Sequence, residues 1–294
     1  MPHEGRTYVF LGTPHAAAVV LEYLVSHNVP VAHVVTRPDA RRGRGSTLSP
    51  SPVKETALRL GIDVSHDLGW IRDHASDGLT GLVVAYGRII PADLLDTVPM
   101  INIHFSLLPR WRGAAPVERA LLAGDERTGV CVMKIEPSLD TGPVYARTEV
   151  AITDDSTTAS LTEELAEAGA RLLLECLRDG LGTPHPQTGD VTHAAKISRD
   201  ELRIHWGNPA SEIHRQVRAV RAYTEIEGSR LRVVAADMGA ESIELPPGHF
   251  TPDGIVSTGD GTLRLVRVQP EGRAEMDAAA WLRGRAADGS RAFG

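Results

Sequence analysis

The chain runs to 294 residues with 31 Lys+Arg against 38 Asp+Glu, a net charge of −7. That length is generous for one domain and comfortable for two at ~100–200 residues each, and 42% hydrophobic with 23% charged residues describes a folded chain rather than a disordered one. No window holds the ~18 consecutive apolar residues of a membrane-crossing helix, no basic-then-apolar leader opens the chain, and two cysteines, Cys131 and Cys176, can build neither a disulfide framework nor a zinc site; a reducing cytoplasmic setting, no membrane and no metal are expected.

In chain order, residues 8–11 form a short apolar run ended by Gly12-Thr13-Pro14, and residues 15–26 carry Ala17, Val20, Leu21, Leu24 and Val25 at helical spacing. Residues 31–35 predict a second buried strand, and Pro52 suits the first turn of a helix reaching about Leu60. Between them the charge reverses. Residues 37–54 hold Arg37, Arg41, Arg42, Arg44 and Lys54 against Asp39 alone, a basic window in an acidic chain, which points to contact with an anion. Residues 82–85, 101–104 and 130–135 predict further strands, and 158–178 a long helix with Leu161, Leu165, Ala168, Leu172 and Cys176 facing inward. Strands alternating with helices imply an α/β fold whose mostly parallel sheet is covered on both faces.

The pattern changes near residue 183. Residues 184–190, Pro-His-Pro-Gln-Thr-Gly-Asp, are rich in breakers and read as a linker. After a short helix at about 209–221 the chain turns β-rich, with strand-like runs at 231–234, 254–256 and 263–268 and a turn at Thr258-Gly259-Asp260-Gly261. Strict alternation in 263–268 would send Leu263, Leu265 and Arg267 one way and Arg264, Val266 and Val268 the other. Short strands over about 90 residues suggest a small barrel. The expected organisation is residues 1–183, a linker 184–204, and a β-barrel over 205–294.

No Walker A loop, His-Glu-x-x-His, Gly-x-Ser-x-Gly elbow or complete Gly-x-Gly-x-x-Gly is present. Chemistry concentrates instead in 101–116, Ile-Asn-Ile-His-Phe-Ser-Leu-Leu-Pro-Arg-Trp-Arg-Gly-Ala-Ala-Pro. Asn102 and His104 lie two apart on a strand and share one face. Polar residues are out of place on a buried parallel strand, unless they stand where open α/β sheets bind ligands, at the strand ends. An amide can stabilise a developing oxyanion and an imidazole can move protons near neutral pH. Asp140, in Leu139-Asp140-Thr141-Gly142 after the strand at 130–135, is the candidate to orient the imidazole.

Asn102-x-His104-x-Ser106-Leu107-Leu108-Pro109 together with Leu139-Asp140-Thr141-Gly142 resembles the 10-formyltetrahydrofolate-dependent formyltransferase family. Arg110 to Pro116 resembles the members that formylate methionyl-tRNA. Gly12-Thr13-Pro14, Thr36-Arg37-Pro38-Asp39, Gly43-Arg44-Gly45, residues 49–54, Val84-Ala85-Tyr86-Gly87, Lys196-Ile197-Ser198, Gly259-Asp260-Gly261 and residues 268–272 extend the likeness along nearly the whole chain in order. The resemblance implies a Rossmann-like formyltransferase domain followed by an oligonucleotide-binding-like barrel that contacts tRNA. It implies Asn102, His104 and Asp140 as catalytic residues. Ser106, Leu107, Leu108 and Pro109 would be a folate-binding segment, and Tyr86, Arg88 and Ile90 the lining of a pteridine pocket. Arg42 and Arg44 would meet the acceptor end of the tRNA. The expected co-substrate is 10-formyltetrahydrofolate, and the expected acceptor is initiator methionyl-tRNA. A monomer is expected. The alternative acceptor within the family is a nucleotide-sugar amine. One departure stands out: where the family carries an Asn-Pro-x-Pro-Gly-Ala segment, residues 220–226 read Val-Arg-Ala-Tyr-Thr-Glu-Ile.

Overall fold

A computed structural model describes residues 6–41, 48–76, 78–240, 243–284 and 291–294. The chain divides into two compact units: Met1–Pro116, Arg127–Ala151 and Ala159–Ala194 in the first, and Val117–Glu126, Ile152–Thr158 and Ala195–Gly294 in the second. Among the described residues no helix is long and apolar enough to cross a membrane.

The first unit opens with β1 (Thr7–Gly12), α1 (His15–Ser26) and β2 (Val31–Val35). Two short strands, β3 (Ala40–Arg41) and β4 (Leu48–Ser49), pair antiparallel and form the base of the basic loop. That base is pinned by the buried hydroxyls of Thr36 and Ser51, 2.8 Å apart. Ser51 also caps α2 (Pro52–Arg59) by accepting the Lys54 N–H at 3.0 Å, with Pro52 in the first turn where no N–H is needed. Lys54 Nζ donates to both carboxylate oxygens of Asp39, at 2.8 and 2.9 Å, so those two charges of the basic window cancel. Arg42 and Arg44 lie outside the described residues.

The unit continues with β5 (Val64–Ser65), α3 (Gly69–Asp73), β6 (Leu79–Val84), α4 (Ala92–Leu95), β7 (Met100–His104) and β8 (Arg112–Gly113). After α5 (Pro116–Ala123), which but for Pro116 belongs to the second unit, the first unit resumes with β9 (Arg127–Lys134), β10 (Val144–Ala151), α6 (Thr158–Asp179) and β11 (His193–Ala194). The main sheet has the order β10-β9-β7-β6-β1-β2-β5. Five of these strands are parallel, while β9 lies antiparallel to β7 and β10 antiparallel to β9. The sheet is thus mostly parallel, as the alternation of strands and helices implies, with an antiparallel edge that the sequence pattern does not announce. From β1 the chain first builds toward β2 and β5, then crosses to β6 and β7 on the other side of β1. That reversal opens a crevice at the carboxyl ends of β1 and β6, the usual ligand position in such sheets. A core of Val9, Leu11, Val35, Ile71, Val83 and Met100 packs one face. Ile103 packs on the other, against α6 at Gly169.

The second unit holds a 3₁₀ turn (Asp200–Leu202), α7 (Ala210–Ala219), β12 (Tyr223–Ile226), β13 (Ser229–Met238), β14 (Ile255–Ser257), β15 (Thr262–Pro270), β16 (Met276–Asp277) and α8 (Ala278–Arg283). The five strands form one antiparallel sheet, a curled half-barrel. The departing segment 220–226 supplies its first strand, β12. Strict alternation fails here. β15 buries Leu263, Leu265 and Val268 and exposes Arg267, and its partner β13 buries Leu231, Val233 and Ala236. Both strands shift phase by one residue where the register slips around Ala235. A bulge re-aims the following side chains and bends the strand, so one sheet can wrap its own core. Trp206, Phe250 and Phe293 stack within that core, at 5.1 and 4.6 Å between ring centroids.

Ser198 and Glu201 form a reciprocal cap: Ser198 N–H donates to Glu201 at 2.8 Å, and Glu201 N–H donates to the Ser198 hydroxyl at 3.4 Å. Arg119 pairs with the same carboxylate and, with the Ser198 amide, holds the Glu201 carboxyl down at about 2. A lowered carboxyl stabilises the fold above its unfolded value of about 4.3 and stops doing so as pH falls toward 2. Glu201→Gln is therefore expected to lower unfolding stability by about 0.5–1 kcal/mol at pH 7, given the partial exposure of the pair. The difference from the native chain should shrink toward zero by about pH 2. Urea unfolding across that range checks this, and a pH-independent difference would contradict it.

Candidate active site

Asn102 and His104 leave the carboxyl end of β7 on the face opposite Ile103. His104 is 6% exposed, whereas Asn102 is part-exposed and its side-chain amide has no hydrogen-bond partner among the described residues. The amide is thus free to donate to an incoming group. His104 faces Cys131 across the β7–β9 pair. Burial pushes the Cys131 thiol up to about 11, so it acts as packing beneath the imidazole and not as a nucleophile.

Two residues meet the His104 ring. Nε2 lies 2.9 Å from the Trp111 carbonyl oxygen. A carbonyl only accepts, so Nε2 carries a proton and, in the neutral ring, Nδ1 carries the lone pair. Nδ1 faces Asp140 Oδ2 at 3.6 Å, within ion-pair reach and beyond a direct hydrogen bond. The ring is therefore oriented by the Trp111 carbonyl, and Asp140 sets the charge opposite the basic nitrogen. The sequence suggests Asp140 as the orienting group and gives Trp111 no role. Asp140 Oδ2 is itself fixed by the Gly113 N–H at 2.9 Å.

Both residues flanking the ring hold left-handed backbone, with φ of 63° at Trp111 and 51° at Asp140. Non-glycine residues in that region are strained and persist only where the surroundings hold them. Asp140 also reaches His104 by an indirect route. β9 runs antiparallel to β7 with Lys134 opposite Ile101, so the chain leaves β9 at the start of β7 and must turn back toward its end. The return packs backbone on backbone. A Cβ at Gly142 would sit 1.9 Å from the Lys134 carbonyl oxygen, so only glycine fits. At Gly113, φ is 127° and a Cβ would lie 2.7 Å from the Ala194 carbonyl oxygen, which makes glycine obligatory there as well.

The Ser106–Pro109 segment is a tight turn after β7. The buried Ser106 hydroxyl donates to the Arg110 carbonyl at 2.6 Å, Leu108 packs with Cys131 and Met133, Leu107 leans on Gly129, and Pro109 is buried. Tyr86 and Ile90 belong to the core beneath the crevice, whereas Arg88 is exposed and donates to the His66 carbonyl at 3.0 Å. Thr13 ties the two sides of the crevice by donating to the Tyr86 carbonyl at 3.2 Å. Tyr86 is 3% exposed, and its hydroxyl has no hydrogen-bond partner among the described residues. Burial raises its pKa, opposed by the nearby Arg88 guanidinium. Among the described residues no group of three or more His, Cys, Asp or Glu is placed to hold a metal ion.

Residues 185–194 are absent from the sequence-based site and contribute heavily to it. Gln187 and Thr192 hydrogen-bond to the loops that carry Asp140 and Trp111. A single glutamine in a breaker-rich stretch gives no sequence signal, and the Thr-His-Ala run at 192–194 is too short to read as a strand.

An amide with free donors, an imidazole with a defined basic nitrogen and an opposed carboxylate, set beside the crevice of a mostly parallel sheet, define a site for proton-coupled transfer at a carbonyl. Known proteins agree with that class. Residues 6–177 match the formyl transferase family and residues 196–286 the formyl transferase C-terminal domain. The methionyl-tRNA formyltransferase of Ruegeria pomeroyi is 42% identical over 94% of this chain and 96% of its own. That of Corynebacterium diphtheriae is 41% identical over 94% and 96%. Among solved structures, the N-formyltransferase of Helicobacter canadensis, in complex with folinic acid and dTDP-3-aminofucose, has a TM-score of 0.67 at 17% identity over 90% of this chain and 99% of that one. HypX from Aquifex aeolicus in complex with tetrahydrofolic acid has a TM-score of 0.67 at 16% identity, and this chain spans about half its length, 46%. The chain belongs to the formyl transferase family, and its full-length likeness is to the methionyl-tRNA formyltransferases.

The Trp111 carbonyl should fix the His104 tautomer. In ¹⁵N-labelled protein the neutral ring is expected to show a protonated Nε2 and an unprotonated Nδ1. The opposite tautomer would contradict the assignment.

Proposed function

We propose that this chain transfers the formyl group of 10-formyltetrahydrofolate to the α-amine of initiator methionyl-tRNA, in the cytoplasm and as a monomer. The observation that carries this reading is the arrangement of Asn102, His104 and Asp140 in a chain whose likeness to methionyl-tRNA formyltransferases is full-length.

Each residue has a definite task. The folate, when bound, supplies an activated formyl carbon and a nitrogen that can leave. Tyr86 and Ile90 would form the apolar floor under the heterocycle, Arg88 would stand at its exposed edge, and the Ser106–Pro109 turn would close the wall nearest β7. Asn102 donates its amide N–H to the formyl oxygen as negative charge gathers there. His104 Nδ1 accepts the proton that the methionyl amine loses on attack. The new imidazolium then faces the Asp140 carboxylate at 3.6 Å. The same nitrogen returns the proton to the departing folate nitrogen, so one N–C bond forms, one breaks and no net charge is created. The β-rich second unit would bind the tRNA, and Arg42 and Arg44 would meet its acceptor end.

The test is formyl transfer from 10-formyltetrahydrofolate to charged initiator tRNA, charged elongator tRNA, an amino-sugar nucleotide and water alone. Transfer to the initiator is expected. Asn102→Ala and His104→Ala should each lose ~10²–10³ in kcat. Arg44→Ala should raise KM for tRNA and leave the folate KM unchanged. Transfer to the sugar nucleotide with none to tRNA would move the activity to the alternative acceptor, and near-native turnover by His104→Ala would refute the proton relay.

A further inference from the structure

We infer that residues 185–194 are a strap that positions the catalytic histidine's two partners, with Gln187 and Thr192 as its positioning residues. The inference rests on the site reading above and extends it to a segment with no assigned role.

The strap is tied at both ends. His185 and Val144 exchange both backbone hydrogen bonds at 2.8 Å. At the other end β11 pairs parallel with β8, setting His193 beside Arg112 and Ala194 beside Gly113. The Ala194 carbonyl accepts the Ala114 and Ala115 amides at 2.8 and 3.2 Å, and the Thr192 carbonyl accepts the Arg112 amide at 2.9 Å. Between these anchors the strap makes two side-chain contacts that bear on His104. Thr192 Oγ1 accepts the Trp111 N–H at 2.8 Å. Gln187 Nε2 donates to the carbonyls of Asp140 and Gly142, both at 2.8 Å. Gln187 Oε1 accepts from Arg112 Nε and Nη2 at 3.0 and 2.6 Å, which fixes the amide orientation and leaves Nε2 to do the donating.

The residues held are the two that flank His104 in left-handed backbone. Trp111 presents the carbonyl that accepts the hydrogen bond from Nε2–H, and Asp140 presents the carboxylate opposite Nδ1. Both are conformations that a free loop would relax. Thr192 holds the first and Gln187 the second. A displacement of about 1 Å at either is enough to cost ~10²-fold in rate, because proton transfer requires the nitrogen in line with the amine. Neither strap residue touches the imidazole, so each acts through geometry.

The test compares full-length Gln187→Leu, Gln187→Glu and Thr192→Val with the native enzyme and His104→Ala, measuring kcat, both KM values, thermal melting and the ¹⁵N signature of the His104 tautomer. Gln187→Leu is expected to lower kcat ~10–100-fold with KM for each substrate within about threefold of native. In Thr192→Val the ¹⁵N signature of a single Nε2-protonated His104 tautomer should be lost, because the Trp111 carbonyl is no longer held in place. Gln187→Glu keeps the acceptor for Arg112 and loses both donations, so it should be as impaired as Gln187→Leu. Thr192→Val keeps the shape and removes the acceptor, and should lower kcat in the same way. Native kcat in Gln187→Leu and Thr192→Val overturns the inference. So does a loss explained by a smaller folded fraction with an unchanged His104 tautomer signature, which marks a structural role only. If His104→Ala is itself active, the site reading falls and the strap inference falls with it; an inactive His104→Ala beside native Gln187→Leu refutes the strap alone.

Discussion

The hydrogen bond from His104 Nε2 to the Trp111 carbonyl is the constraint on which the site depends. It decides which ring nitrogen is basic, and so which direction a proton can travel. With Nε2 committed, Nδ1 is left to face Asp140, whose Oδ2 is in turn committed to the Gly113 amide. Each partner is thereby fixed by something other than the histidine. The 3.6 Å gap between Nδ1 and the carboxylate is too long for a direct hydrogen bond, so the Nδ1 lone pair is left uncommitted beside a negative charge.

The sheet makes this arrangement possible. β7 lies between parallel β6 and antiparallel β9, so its carboxyl end is close to the crevice at β1 and β6 while its other neighbour runs back the opposite way. One edge serves the crevice with Tyr86, and the other returns a loop carrying Asp140. The return path is narrow enough to demand glycine at position 142. Exposed apolar residues border these loops: Ile89 is 89% and Leu139 70% exposed.

Much of the first unit can be read from its residues, because buried strands and amphipathic helices leave strong periodic signals. The helix at 15–26, the strand at 31–35 and the Pro52 start of α2 appear where the pattern places them. Three features escape such a reading for physical reasons. β10 is half-exposed and carries polar residues on its outer side, so it lacks the apolar run that marks its neighbours. The phase slip near Ala235 depends on pairing between β13 and β15, which no single strand encodes. The segment 184–190 has the composition of a linker, yet His185 and Gln187 are bonded into the first unit, because its turns are stabilised by groups distant in sequence. The pair Asn102 and His104 was legible through its period of two, whereas the role of Trp111 rests on a backbone carbonyl, which side-chain identity cannot reveal.

The charge of Asp140, as opposed to its shape, is what the account requires. Asp140→Asn keeps an oxygen able to accept the Gly113 amide and removes the negative charge facing Nδ1. Its kcat/KM for formyl transfer to initiator methionyl-tRNA is the most direct measurement. A loss of ~10²-fold or more with unchanged melting is predicted, since the imidazolium formed in the transition state would lose its counter-charge. A variant within about threefold of the native enzyme would contradict the account.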